Sequence, residues 1–135
     1  MGVRSGSRIL LGAIFLVAVL SKAHQPEIFA AQIAGYQLVP STLVTLMALA
    51  LPRIEILAGM GLIFRLLPRS CALVTAALSL GFAISTSVAL ARGLNIDCGC
   101  LPVELKITWL HPLVDLALLA LSVRVVQERA DSSRK

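Results

Sequence analysis

Residues Cys71–Ala91 read CALVTAALSLGFAISTSVALA, 21 residues without a charged side chain. A helix of that length rises about 30 Å, the thickness of the hydrocarbon core of a bilayer. Three more apolar runs flank it. One is ILLGAIFLVAVL from Ile9 to Leu20, which lengthens through Ser21, Lys22 and Ala23; the others run from about Leu43 to Phe64 and from about Trp109 to Val126. Composition agrees: 58% of the 135 residues are hydrophobic, 14% are charged, and the mean hydropathy is +0.91. An ordinary soluble domain is about 25% charged, and one this small exposes too much surface to hide so many apolar side chains. The expectation is an all-α integral membrane four-helix bundle. It forms a single transmembrane domain over residues 1–135, with spans at about 9–24, 43–64, 71–91 and 109–126.

The net charge of +5 does not point to nucleic acid, because the basic residues lie in short connections and not on a patch interleaved with aromatics. They read as topology signals. Arg4, Arg8, Arg65, Arg69, Arg124, Arg129, Arg134 and Lys135 fall on one side of the expected bundle, against Lys22, Arg92 and Lys106 on the other. By the positive-inside rule both termini are cytoplasmic and the connection holding DCGC is extracytoplasmic. The location is then the cytoplasmic (inner) cell membrane, crossed several times. Lys22 is expected to snorkel from the end of the first span to the surface. That span also has the plan of a cleaved signal peptide, with MGVRSGSR as its basic region and Ser21 and Ala23 as small residues near a cleavage site. The uncleaved span is preferred, since its loss would leave a three-helix remnant. In the first outer connection, HQPEIFAAQIAGYQLVP, the residues Phe29, Ile33 and Tyr36 keep helical spacing and Pro26 suits a first helical turn. A short helix is expected there, lying at the membrane surface or extending the helix packing.

Chemistry concentrates at Asn95–Pro102, NIDCGCLP. Cys98 and Cys100 lie on the oxidising side, where disulfides persist. A Cys-Gly-Cys disulfide closes a very small ring, and strained disulfides are typically labile or catalytic. A structural staple gains most by closing a long loop, which this is not. Asp97, a negative charge beside Cys98, disfavours a thiolate, so the pair reads as more readily attacked than attacking. Three readings stay open: a redox-active dithiol, a metal-binding pair for copper(I) or zinc, and plain structure. For the second, a closed zinc site wants four ligands and the loop offers few others.

Two further groups stand out. Arg53 and Glu55, in ALPRIEILAG, fall near the middle of the second span, where ionisable groups are costly. Two positions apart they point to nearly opposite faces, so a local ion pair is not expected. Glu55 shares a face with Pro52 and Gly59, a small-residue stripe that admits another helix. It reads either as a buried tie between helices or as a group that handles protons or meets a quinone. His111 and Asp115, spaced i, i+4 at the outer end of the fourth span, face the same way, and a carboxylate-oriented histidine there can move protons during thiol exchange.

YQLVP, ALPRIEILAGMGLIF and ARGLNIDCGC together resemble the methylamine utilisation protein MauE family, a branch of the DoxX-like four-helix membrane proteins. The resemblance runs from about Lys22 to His111, and its most specific element is Arg92-Gly93 followed by Asp97-Cys98-Gly99-Cys100. The family usually continues CGCFG where this chain has Leu101-Pro102, and often has an aromatic residue where Arg53 stands. The resemblance implies a membrane protein needed to mature or export the disulfide-rich light subunit of methylamine dehydrogenase. It makes Cys98 and Cys100 the exchanging pair and Glu55 the family's intramembrane acid.

The expected function is a thiol-disulfide relay or maturation protein, and the enzyme class considered is a thiol-disulfide oxidoreductase. Its partners would be a periplasmic thioredoxin-like protein or a secreted disulfide-containing subunit, with His111 as a proton shuttle. Its rivals are a non-catalytic assembly or export factor and a metal-delivery protein using the CxC pair. No resident metal is expected. A quinone near the Pro52 kink is the natural acceptor if electrons continue into the membrane, though no motif specifies one.

Overall fold

A computed structural model describes residues 2–98 and 105–132. The chain forms α1 (Gly2–His24), α2 (Pro26–Gly35), α3 (Ser41–Ile63), α4 (Pro68–Ala91) and α5 (Leu110–Ser132). Four of these, all but α2, are long and apolar enough to cross a membrane. Prolines begin the elements rather than break them: Pro26 and Pro68 sit in the first turns of α2 and α4, where the missing N–H costs nothing. Pro52 is the exception, lying inside α3, which runs on through it. At the other end of α4 the Gly93 N–H donates to the Leu90 carbonyl and the Leu94 N–H to the Ala89 carbonyl, both at 3.0 Å. That is a Schellman cap, and Gly93 takes its left-handed position at φ +68°.

The bundle is apolar outside and mixed inside. Leu46, Leu57, Leu80, Ile84, Leu113 and Leu116 are exposed, while Thr75, Ser79, Thr86 and Ser122 are fully buried. A helix pair in lipid gains little from burying leucine and more from close approach and interhelical hydrogen bonds. Both occur here. The inner face of α4 is small, Ala72, Thr75, Ser79, Ala83, Thr86 and Ala89, and Thr75 Oγ1 lies 3.1 Å from Ser122 Oγ on α5. Helices α1 and α3 cross at Gly12 and Gly59, where a Cβ built on Gly12 would lie 2.8 Å from the Gly59 carbonyl oxygen. Leu11 and Phe15 (α1), Leu62 (α3), Ala72 (α4) and Val125 (α5) close one end of the core. At the other end α2 lays Phe29 and Ile33 on Val44 and Ala48 of α3. The short helix expected over this connection therefore packs against the bundle.

Candidate functional site

The segment before the cysteine loop leaves α4 through the Gly93 cap and turns back as a short extended strip. Asp97 and Lys106 form an antiparallel bridge, with the Cys98 N–H donating to the Leu105 carbonyl and the Ile107 N–H to the Ile96 carbonyl, both at 3.0 Å. This two-stranded neck pairs the residues on either side of 99–104. The Tyr36 hydroxyl, just beyond α2, donates to the Cys98 carbonyl at 2.8 Å. Both backbone polar groups of Cys98 are thus fixed, and its side chain is 5% exposed, packed with Ala89 and Ile107. Cys100 lies outside the described residues, and with it the pairing of the two thiols.

Lys22 is not at the surface. It is 3% exposed and lies 2.9 and 3.1 Å from the two carboxylate oxygens of Glu55, itself 1% exposed. Its ammonium also lies 4.8 Å from the ring centroid of Phe82 and 5.4 Å from that of Phe29. The expectation of a snorkelling lysine fails for a physical reason. Helix α1 continues to His24, which turns Lys22 toward α3, and a buried carboxylate outcompetes the interface for the charge. Glu55 is accordingly a buried tie between helices, on the same buried face as Pro52 and Gly59. Arg53 points away as expected; it is exposed and donates to the Leu49 carbonyl at 3.0 Å.

His111 and Asp115 share a face but not a hydrogen bond among the described residues. The first turn of α5 presents backbone N–H groups without helical acceptors. The Thr108 N–H donates to His111 Nδ1 at 3.0 Å, while Asp115, 6% exposed, accepts from Thr86 Oγ1 on α4 at 3.5 Å. The expected carboxylate-oriented histidine is replaced by a locally held ring and a separately held acid. A cavity of about 280 Å3 brings the groups together all the same. Cys98, Lys106, Thr108, His111 and Asp115 all line it.

Asp115 also lines a second, inner cavity of about 40 Å3, together with Lys22, Glu55, Ser79 and Phe82. The charged pair in the middle of the bundle and the cysteine neck at its end are therefore linked through one carboxylate. Sequence reasoning named Asp115 but not Lys22, Ser79 or Tyr36 as parts of this arrangement. For Lys22 the sequence offers only a basic residue at the end of one span and an acid within the next, which does not by itself pair them.

Residues 3–126 match the family described as methylamine utilisation protein MauE. The chain belongs to the MauE family. It is 35% identical over 121 residues to the methylamine utilization protein MauE of Paracoccus denitrificans, covering 87% of this chain and 65% of that protein. It is 33% identical over 125 residues to the protein of the same name from Methylophilus methylotrophus, covering 86% of this chain and 66% of the relative. The chain thus spans just under two thirds of the length of these relatives. No solved structure matches it. Membership in the MauE family and four bilayer-length helices together make this a multi-pass membrane protein.

Proposed function

We propose that this MauE-family protein is a thiol-disulfide relay on the outer face of the inner membrane, with Cys98 and Cys100 as the exchanging pair. Its partner is a periplasmic thioredoxin-like protein or a secreted, disulfide-containing subunit. The names of its relatives support methylamine utilisation as the process it serves. The observation that carries the reading is the fixed backbone of Cys98 beside a cavity that also holds an imidazole and a carboxylate. Exchange needs a positioned sulfur and a nearby group to take and return a proton.

The topology has both termini cytoplasmic. With Lys22 buried in its ion pair, Arg92 and Lys106 remain as the basic residues at the cysteine end. Burial of Cys98 supports one order of events. Cys100 forms the mixed disulfide with the partner, and Cys98 resolves it by attacking Cys100 Sγ and releasing the partner as a thiol.

The burial of Cys98 is also what favours a second reading, an assembly or export factor whose cysteines only pack. Trapping separates the two. Cys98→Ala in native membranes should accumulate a mixed disulfide at Cys100, seen as a reducible higher-mass band, and Cys100→Ala should not. Absence of the band in both variants, with the membrane level of the protein unchanged, would leave the assembly reading.

A further inference from the structure

The inner cavity contains a loose end. Ser79 is 1% exposed, and its Oγ has no hydrogen-bond partner among the described residues. A buried hydroxyl left unsatisfied is costly, and such groups are ordinarily met by protein or by an ordered water. The cavity it lines measures about 40 Å3, and its polar walls come from four helices: Lys22 of α1, Glu55 of α3, Ser79 of α4 and Asp115 of α5. A water occupies about 30 Å3 of liquid volume and needs two to four polar partners, and apolar cavities of this kind stay dry. Volume and chemistry both fit one water. A metal cation is disfavoured, since the Lys22 ammonium borders the same space.

Charge counting adds a function. The site has one cation, Lys22, and two acids, Glu55 and Asp115, in the interior of a bundle that lies in lipid. An unbalanced charge there is expensive. Neutrality is met when the two carboxyls share a single proton. The Asp115 end of this unit opens on the larger cavity lined by Cys98, His111 and Lys106.

We infer that the inner cavity binds a water that bridges Ser79, Glu55 and Asp115, and that the two acids so joined hold and exchange a proton with the Cys98 thiol. The water takes a hydrogen bond from Ser79 and gives its own to the carboxylates. This rests on the relay reading and supplies its proton balance. When the attacking thiol loses its proton, a new S–S bond forms and the partner disulfide breaks. The leaving thiolate then takes up a proton, so the acid pair accepts one from the attacking thiol and returns it to the leaving sulfur, and the step is neutral overall. Asp115 is a positioning and proton-holding residue. The titratable and charged groups around it are Lys22 from α1, Glu55 from α3, His111 on its own helix and Lys106 from the neck, with Thr86 of α4 donating to it.

Infrared difference spectroscopy of the full chain in lipid vesicles tests the site independently of any partner. A protonated-carboxyl C=O band should be present at neutral pH, shift in D2O, disappear in Asp115→Asn and change frequency in Ser79→Ala. Absence of the band, or its persistence unchanged in both variants, overturns the water-bridged pair. The coupling is read from the pH dependence of Cys98 alkylation in the Cys100→Ala background. Asp115→Asn should slow it about a hundred-fold near neutral pH, within the range of general acid-base assistance, and flatten its pH profile. Ser79→Ala should shift the profile with the fold intact. Unaltered kinetics in both variants would overturn the coupling. Missing mixed disulfides in the trapping experiment would overturn the relay, and the infrared result would still decide the water site.

Discussion

Replacing Lys22 by Met keeps the apolar stem and removes only the charge, which leaves Glu55 alone at 1% exposure in the middle of the bundle. The ammonium meets both carboxylate oxygens, at 2.9 and 3.1 Å, so the substitution removes two charge-assisted hydrogen bonds and two ring contacts. Breaking a buried pair by deleting one partner costs about 3–5 kcal/mol, and an ammonium over aromatic rings adds about 0.5–2 kcal/mol. The buried Glu55 carboxylate left without a counter-charge is the larger part, so its protonation returns some of the cost. A net loss of about 3 kcal/mol is expected, roughly a hundred-fold in the folding equilibrium.

The double variant Lys22→Met/Glu55→Leu should recover most of this loss, because two apolar side chains of similar volume replace two desolvated charges. Reversible unfolding in mixed micelles or by steric trapping in bicelles, analysed as a double-mutant cycle, gives the coupling. Equal or additive losses in the single and double variants would rule out a coupled buried pair, as would a Lys22→Met loss under about 0.5 kcal/mol, the usual scatter of independent sites.

Tyr36→Phe removes the hydroxyl that donates to the Cys98 carbonyl; it should cost about 1 kcal/mol and speed alkylation of Cys98, read by mass shift. Gly12→Val puts a branched side chain against the Gly59 carbonyl and should separate α1 from α3, lowering the melting temperature in detergent by a loss of about 1–3 kcal/mol. Gly93→Ala forces a Cβ into a φ of +68°, at a cost of about 1–2 kcal/mol, and should raise hydrogen exchange in the 94–98 segment that leads to Cys98.

Helices α3 and α4 begin and end within a few residues of the apolar runs 43–64 and 71–91, whereas α1 and α5 extend past the apolar runs at Ile9 and Val126. A run such as 71–91 carries its fate in composition, since lipid demands only length and the absence of charge. Glu55 was also legible, because helical periodicity alone puts it with Pro52 and Gly59 and away from Arg53. Lys22 was not. Periodicity gives depth and azimuth on one helix, but the Lys22–Glu55 contact joins residues 33 positions apart and depends on how α1 crosses α3. The spacing of His111 and Asp115 predicted a shared face correctly. It missed that a first-turn imidazole is claimed by the local Thr108 N–H before any carboxylate one turn on. The burial of Cys98 was hidden for a similar reason: a polar loop motif does not reveal that its first cysteine is drawn under the neck by Tyr36 and Ile107.

The central claim is that Cys98 and Cys100 exchange electrons, and their reduction potential in native membranes tests it most directly. Membranes are equilibrated against defined thiol buffers, quenched with acid and alkylated after solubilisation, and the mass shift is counted. A reversible two-electron transition is expected between about −270 and −120 mV, the range spanned by thiol-disulfide oxidoreductases. A disulfide that resists reduction below about −300 mV, or thiols that never oxidise, would contradict it.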